Sequence, residues 1–212
     1  DDKKRMITLC MKELGIDEKR LAPRAVADAI SRAKDALVLP DDYDVTSDPR
    51  TAHVKDVYRL YDNRMMANNA LDFDDIIMKT VELLRDNAEV RSYYPNKFRH
   101  VLVDEYQDTN YAQFVLTTLL SDKHRNIMVV GDDDQSIYKF RGATIENILN
   151  FDKIYSDAKT IKLEQNYRST SNILGAANSV IKNNKDRKGK ELWTDAGNGE
   201  KLLLKTLPTQ LD

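Results

Sequence analysis

The sequence predicts an α/β fold in which helices flank a parallel sheet, with an all-helical segment before it. From residue 98 onward, short apolar runs alternate with amphipathic stretches of helical length, which is the pattern of βαβ units. Two of these runs lead into acidic residues, in VLVDEYQDTN (101–110) and NIMVVGDDDQ (126–135). Residues 1–70, in contrast, have helical periodicity and no strand signal.

Three helices are predicted in the first 70 residues. One covers Met6–Leu14 and closes on Gly15, a residue type common just after helix ends. The second begins at Pro23 and repeats apolar residues at helical spacing, namely Val26, Ile30, Ala33 and Leu37. The third covers about His53–Asn68 and follows the Asp- and Pro-rich loop Pro40–Arg50.

A fourth helix is predicted over about Leu71–Asp86, with a mostly buried apolar stripe that includes Phe73. Its first turn contains Asp72, Asp74 and Asp75, which suit the positive end of a helix dipole, so capping is favoured over a metal site. Further on, the predicted elements alternate in type: strand 98–103, helix 109–121, strand 126–130, helix 144–155, strand 159–163, helix 171–183 and strand 201–207.

Charge, cysteine count and the length of apolar runs limit the classes of protein to which the chain can belong. The 212 residues include 33 Lys and Arg against 35 Asp and Glu, so net charge does not indicate a nucleic-acid partner, although a local basic face is compatible with it. The single cysteine, Cys10, excludes an internal disulfide framework and fits a reducing, cytoplasmic setting. The chain has no apolar run of membrane-spanning length and starts without an initiator Met, so a soluble piece excised from a larger protein is expected.

The acidic pair Asp104 and Glu105 follows an apolar strand directly. Ligands of open α/β sheets bind at the carboxyl ends of the strands, so this pair is placed where phosphate and metal chemistry occurs. The first acid can hold Mg²⁺ and the second can orient or deprotonate an attacking water, as ATP hydrolysis requires. By itself, however, such a pair after a strand is more often part of a helix cap than of a catalytic site.

Three further residues fit nucleotide chemistry. Gln135 follows the second apolar strand, where an amide can sense a γ-phosphate, although a turn residue is the simpler interpretation. Arg168 follows the predicted strand 159–163 and can clamp phosphate oxygens, while Tyr167 can stack on a purine. Otherwise Arg168 is a surface residue beside a helix cap.

The segment Tyr138-Lys139-Phe140-Arg141 combines two rings and two cations. Stacking of rings on bases, at about 1–3 kcal/mol each, together with cations on phosphates suits single-stranded nucleic acid. The alternative is that both rings belong to the core. The basic run Lys182–Lys190 is interpreted as a solvated turn, with a DNA-backbone contact as the alternative.

Taken together, these segments resemble the superfamily 1 DNA helicases of the UvrD/Rep/PcrA type, and within them most closely the PcrA branch. VLVDEYQDTN resembles the Walker B segment, motif II, VVGDDDQSIYKFRGA resembles motif III and LEQNYRS resembles motif IV. LDFDDII and ELWT also match the family pattern. The resemblance covers nearly the whole chain and implies a P-loop NTPase (RecA-like) parallel sheet.

The resemblance implies a role for each motif residue. Asp104 would bind Mg²⁺, Glu105 would activate water, Gln135 would sense the γ-phosphate, Arg168 would bind phosphate and Tyr167 would stack on adenine. Tyr138, Phe140 and Arg141 would contact single-stranded DNA. The implied domains are the latter part of a 1B-like insertion (1–70), part of motor domain 1A with motifs II and III (71–158) and the start of motor domain 2A (159–212).

The implied function is that of an ATP-dependent helicase moving 3′ to 5′, with ATP and Mg²⁺ as cofactors and with single-stranded and partly duplex DNA as partner. Repair or replication proteins are compatible further partners. The sequence departs from the family in having no G-x-x-x-x-G-K-[ST] segment, Phe140 where Trp is frequent, and the extra charge of Asp133. We therefore expect an inactive fragment of the helicase. A non-catalytic DNA-binding module and, less favoured, a metal-dependent nuclease using Asp104, Glu105 and Asp132 are the alternatives.

Overall fold

The structure, a computed structural model, describes residues 2–45, 48–138, 142–185 and 187–206. The chain divides into two compact units. Unit 1 contains the residues up to Asp132 together with Ser136–Ile148, and unit 2 contains Asp133–Gln135 and the residues from Leu149 onward. No helix in the described part of the chain is long and apolar enough to cross a membrane.

Helices dominate the described residues. The helices are α1 (Asp2–Glu13), α2 (Pro23–Asp35), α3 (Pro49–Ala67), α4 (Phe73–Asp86), α5 (Ala88–Lys97), α6 (Tyr111–Ser121), α7 (Glu146–Leu149), α8 (Phe151–Ile154) and α9 (Ser171–Ile181). The strands are β1 (Val101–Val103) and β2 (Ile127–Val129). Short 3₁₀ helices lie at Pro40–Asp42, Tyr106–Asp108 and Asp133–Gln135.

The first three helices share one apolar core, as their periodicity predicts. Each helix contributes an inward stripe and Leu21 joins them from the connection between α1 and α2; the buried members are Ile7, Cys10, Met11, Leu21, Val26, Ile30, Ala33, Val54, Val57, Tyr58 and Tyr61. Local signals fix the start of α3, because Asp48 accepts a hydrogen bond from the Arg50 N–H and Pro49 occupies the first turn. The predicted helical segment is therefore confirmed, with boundaries shifted by a few residues.

A buried ion network joins α2 to α4. The Lys34 side chain is 0% exposed, and its Nζ lies 2.6 Å from Asp75 Oδ1 and 3.0 Å from Asp72 Oδ2. The Asp72 carboxylate also accepts from the Tyr61 hydroxyl at 2.9 Å and pairs with Lys3 at 3.0 Å. Burial alone would raise the pKa of Asp72, but the Lys34 charge and the hydrogen bonds to the carboxylate outweigh burial and lower the pKa well below its usual range.

The same acids cap α4. Asp72 Oδ1 accepts from the Asp75 N–H at 2.8 Å and Asp75 Oδ2 accepts from the Asp72 N–H at 3.0 Å, which completes a capping box. The predicted capping role of these residues is confirmed. The prediction that Phe73 belongs to the core is wrong, because its side chain is 87% exposed, whereas Val81 and Leu84 on the same helix are buried.

The sheet of the described residues is a parallel pair. Val101 pairs with Ile127, Leu102 with Met128 and Val103 with Val129. Helix α6 connects the two strands, so this part of unit 1 is a βαβ arrangement, as the sequence predicts. α6 packs against α4, which links the sheet to the helical segment.

Several predicted elements of the second half are wrong. Residues 159–163 and 201–206 have no regular secondary structure, since a strand requires a ladder partner and only an isolated bridge between Gln165 and Trp193 forms in this part of the described chain. Leu207 lies outside the described residues. The predicted helix 144–155 is split at Asn150 into α7 and α8.

Helix α5 was not predicted. Pro95 lies inside the helix and has no backbone N–H to donate, so the sequence of this segment does not indicate a helix. The local signal for its start is Asn87, whose side chain caps the helix by accepting from the Glu89 and Val90 N–H groups.

Replacing Lys34 with Met should strongly destabilise unit 1. The substitution keeps the aliphatic volume but leaves the Asp72 and Asp75 carboxylates without their buried cation, which costs about 3–5 kcal/mol of unfolding free energy. Urea unfolding followed by circular dichroism measures the loss. Lys79→Met is the matched control, since the Lys79–Glu82 pair is about a third exposed and should cost less than about 1 kcal/mol. Equal losses in the two variants would contradict the role of the network.

The stability of unit 1 should also depend on the ionisation of Asp35, the last residue of α2. Burial and the neighbouring Asp74 charge raise its pKa from 3.8 to about 6. Between these values the folded state holds a proton that the unfolded chain has released, so stability falls as pH rises through this window. Asp35→Asn removes the charge and keeps an oxygen to accept from Asn110 Nδ2, which donates to Asp35 Oδ1 at 2.6 Å.

We expect Asp35→Asn to exceed the wild type in unfolding free energy by about 1–2 kcal/mol at pH 8, after discounting for the partial exposure of the carboxyl group, and to match it at about pH 3, below the pKa of the unfolded chain. Urea titrations at the two pH values measure the difference. A gain that is the same at both pH values would show that the carboxyl charge is not its cause.

Candidate active site

The acidic pair lies at the carboxyl end of β1, as the sequence predicts. Asp104 and Glu105 are both exposed. Glu105 has left-handed backbone angles, φ 49° and ψ 40°, which cost a residue with a Cβ about 1–2 kcal/mol. Its N–H donates to Asp104 Oδ1 at 2.9 Å. The sharp turn exposes both carboxylates at the edge of the sheet.

A hydrogen bond from the Gln107 side chain holds the Glu105 side chain. The Gln107 side chain is buried, and its Nε2 donates to Glu105 Oε2 at 2.8 Å. Its Oε1 accepts from the Asp132 N–H at 2.9 Å, just beyond the end of β2. Sequence reasoning did not single out Gln107. The only signal in the sequence for a role of Gln107 is that it is a polar residue in the turn after an apolar strand. Polar residues are common in such turns, so this signal does not identify a site residue.

The chain following the acidic pair is tied to the chain following β2. The Tyr106 N–H donates to the Val130 carbonyl at 2.9 Å, and the Thr144 N–H donates to the Thr109 carbonyl at 3.0 Å. The buried Asn147 amide also donates to the Thr109 carbonyl, at 3.1 Å. Motif II and the chain that follows motif III are therefore one hydrogen-bonded assembly within unit 1.

Gln135, Asp133 and Asp134 belong to unit 2. Gln135 is exposed at the end of a 3₁₀ turn. Asp133 Oδ2 accepts from the Lys188 N–H at 2.6 Å, and Asp134 Oδ2 pairs with Arg187 Nη2 at 2.7 Å. The basic run is thus not a fully solvated turn. The extra charge of Asp133, to which the sequence assigned no effect, binds the backbone of this run.

Tyr167 and Arg168 lie on a turn in unit 2 rather than directly after a strand, so the predicted position of Arg168 is corrected. The Asn166 side chain accepts from the N–H groups of Arg168 and Ser169, at 2.9 and 2.7 Å, which forms an Asx turn ahead of α9. The Tyr167 ring is 85% exposed, and its hydroxyl donates to Gln165 Oε1 at 2.8 Å. A ring presented in this way can stack on a planar ligand.

The predicted nucleic-acid residues are only partly described. Tyr138 is 38% exposed, so its ring is not a buried core residue. Phe140 and Arg141 lie outside the described residues. Unit 1 therefore contains Asp104, Glu105 and Tyr138, while Gln135, Tyr167 and Arg168 belong to unit 2.

The acidic pair fits a magnesium ion. Asp104 Oδ1 accepts from the Glu105 N–H, and Oδ2 makes no hydrogen bond or ion pair to the described residues. Mg²⁺ favours carboxylate oxygen ligands and usually keeps several waters, so an exposed carboxylate at a strand end suits it. The 212 residues contain no glycine-rich phosphate loop, so they fit the metal-and-water part of a nucleotide site and not its phosphate cradle.

Comparison with known proteins defines the class. Residues 1–156 match the family model of the UvrD/REP helicase N-terminal domain, and residues 161–212 match that of the UvrD-like helicase C-terminal domain. The chain belongs to the UvrD/Rep helicase family, which confirms the resemblance seen in motifs II, III and IV.

Individual relatives carry helicase names. The chain is 52% identical over 202 residues to the ATP-dependent DNA helicase PcrA of Staphylococcus aureus, with 95% of this chain and 28% of the relative covered. It is 49% identical to PcrA of Staphylococcus epidermidis, with 100% and 29% covered. It is 50% identical to the ATP-dependent DNA helicase UvrD1 of Mycobacterium tuberculosis, with 96% and 28% covered. The chain thus spans less than a third of the length of these relatives.

Proposed function

We propose that this chain is part of an ATP-dependent DNA helicase that moves 3′ to 5′ on single-stranded DNA and couples Mg-ATP hydrolysis to duplex unwinding. The acidic pair exposed at the carboxyl end of β1 carries the proposal, because it places a metal-binding carboxylate beside a second carboxylate that is held in one orientation. The helicase names of relatives about 50% identical support it.

Within this proposal the acids have separate roles. The free oxygen of Asp104 would bind Mg²⁺, which neutralises charge on the phosphates when bound. Glu105 is exposed and has only one of its two carboxylate oxygens hydrogen-bonded to Gln107, so its other oxygen would accept a proton from the attacking water.

The unit 2 residues would bind the nucleotide. Tyr167 would stack on adenine, which its 85% exposure supports, and Arg168 would bind phosphate oxygens. Gln135 would sense the γ-phosphate through its exposed amide. These roles follow the positions of the residues in motifs III and IV.

The proposed architecture is that of the family. We infer that the parallel pair β1 and β2 is part of a RecA-like sheet in motor domain 1A (71–158), after the latter part of a 1B-like insertion (1–70) and before the start of domain 2A (159–212). The single, buried cysteine supports a reducing, cytoplasmic setting.

A non-catalytic role in binding single-stranded DNA is the second candidate. The half-exposed ring of Tyr138 favours it, since an accessible tyrosine can stack on a base. In the helicase proposal the same ring, with Phe140 and Arg141, would contact the translocating strand. The two candidates therefore differ in hydrolysis and not in DNA contact.

The purified 212-residue chain should hydrolyse ATP no faster than buffer alone, with or without single-stranded DNA. The chain lacks a phosphate-binding loop and its lysine, which provide most of the contacts to the β- and γ-phosphates. Phosphate release measured beside a Glu105→Gln control tests this expectation. DNA-stimulated turnover that disappears in the control would show that the chain is a complete ATPase.

Loss of two rings should weaken DNA binding by this chain. Tyr138→Ala combined with Phe140→Ala removes two rings that would stack on bases, and at about 1–3 kcal/mol each this weakens affinity by at least about 30-fold. Fluorescence titration with a labelled oligonucleotide measures the change. Tyr93→Ala combined with Tyr94→Ala removes two exposed rings of α5 and should leave affinity unchanged. Unaltered affinity in the first variant would mean that its rings do not contact DNA.

A further inference from the structure

Gln107 is the one buried amide in the described part of unit 1 that touches the Glu105 carboxylate. Its side chain is about 1% exposed. Nε2 donates to Glu105 Oε2 at 2.8 Å and approaches Asp108 Oδ2 at 3.4 Å, while Oε1 accepts from the Asp132 N–H at 2.9 Å. The two amide protons and the amide oxygen therefore all have partners, and the orientation of the amide is fixed by them.

Only an amide of this length satisfies these partners. Glutamate has the same shape but would present a carboxylate to two carboxylates, and it has no proton to donate. Asparagine is one methylene shorter and does not reach from the same backbone position. An apolar residue would remove both the hydrogen bond from the part-buried Asp132 N–H and the hydrogen bond to Glu105 Oε2, and the loss of hydrogen bonds by partly buried polar groups is costly.

Gly131 makes room for this amide. A Cβ added to Gly131 would lie 2.5 Å from Gln107 Oε1 and 3.2 Å from the Tyr106 N, and neither the hydrogen-bonded amide nor the backbone has space to withdraw. The Ser136 hydroxyl donates to the Gln107 carbonyl at 3.4 Å. The side chain of Gln107 is thus held by Asp132 and its backbone by Ser136, both of unit 1.

Glu105 needs such a support. Its side chain is exposed and extends from a left-handed turn, so without a partner it would sample several rotamers. The hydrogen bond from Gln107 holds Oε2 and leaves Oε1 without a hydrogen-bond partner among the described residues. A carboxylate held in this way presents its other oxygen to a water molecule in one defined position.

We propose that Gln107 is a positioning residue that holds the Glu105 carboxylate in its productive orientation by bridging it to the backbone after β2. The proposal deepens the proposed function and rests on it, since it assumes that Glu105 activates water. Gln107 itself would touch neither nucleotide nor water. Its effect would be on the rate of hydrolysis and not on nucleotide affinity.

The test uses the full-length protein that contains this chain, with DNA-stimulated ATP hydrolysis as the readout. Gln107→Met keeps the length of the side chain and removes its donor and acceptor. We expect kcat to fall about 10- to 100-fold, because small displacements of a reacting group have costs of this size, while KM for ATP changes less than about twofold. An unchanged kcat would overturn the proposal.

A double variant separates positioning from general damage. If Gln107 acts through Glu105, adding Gln107→Met to Glu105→Gln should lower the residual single-turnover rate by less than about twofold. The same 10- to 100-fold loss in that background would overturn the proposal and leave the proposed function intact. Wild-type turnover in Glu105→Gln alone would instead overturn the proposed function.

Gln113→Met is the matched control for the chemical change. Gln113 accepts from the Asn110 N–H in the capping box of α6 and has no contact with Glu105. This variant should lower thermal stability and keep kcat. A fall in kcat equal to that of Gln107→Met would show that any weakening of this region slows hydrolysis, and would overturn the specific role of Gln107.

A measurement on the wild-type amide covers the case in which Gln107→Met does not fold. The Gln107 side-chain NH₂ protons of the 212-residue chain can be followed by NMR in the wild type and in Glu105→Ala, which truncates an exposed side chain. We expect solvent exchange of these protons to become at least about fivefold faster in the variant, because the hydrogen bond to Oε2 is lost. Identical exchange in both chains would mean that the two side chains do not interact, and would overturn the proposal.

Discussion

The buried ammonium group of Lys34 is the interaction on which the helical part of unit 1 depends. A cation with 0% side-chain exposure must be compensated within the protein, and Asp72 and Asp75 do so from the start of α4. Because the same two acids form the capping box, charge pairing and helix initiation fix the same point of the chain. α4 packs against both α2 and α6, and α6 follows the acidic pair after β1. The buried charge thus helps to hold α4 in place, and α4 packs against the helix that follows the candidate active site.

The candidate site itself is organised by hydrogen bonds between turns rather than by its strands. β1 and β2 are only three residues long each, which is too short to orient side chains beyond their ends. Glu105 leaves the strand through a left-handed turn, and the amide of Gln107 and the carbonyl of Thr109 join this turn to the chain after β2. Polar groups in such a network are each costly to leave unpaired, so the turn has one favoured arrangement. A rigid carboxylate on an exposed edge is suited to hydrolytic chemistry.

Sequence reasoning succeeded where the signal was local. The helical stripes of α2 and α3, the cap at Asp72 and the acidic pair after β1 were all predicted, because periodicity, capping and strand ends depend on neighbouring residues. It failed at the predicted last strand because the outcome there depended on distant residues. Leu203 and Leu204 have strand-like sequence, yet they are 92% and 93% exposed and form no ladder, since no described segment pairs with them. The failure at α5 was local instead, because Pro95 inside the helix is a residue type that usually interrupts helices, although the Asn87 cap marks the helix start.

The sequence by itself determined the family, because motifs II, III and IV are contiguous strings whose residue types and order are sufficient to identify it. It also determined that Asp104 and Glu105 lie at the end of a strand. Only the tertiary structure decided that the Gln107 amide holds Glu105 and that Asp133 and Asp134 bind the basic run. The partners in these contacts lie two residues apart across a turn or more than fifty residues apart in sequence, and their distances are set by how the chain folds back. Spacing in the sequence does not bring together residues more than fifty positions apart, and for Glu105 and Gln107 it does not determine the side-chain rotamers that allow the two groups to meet.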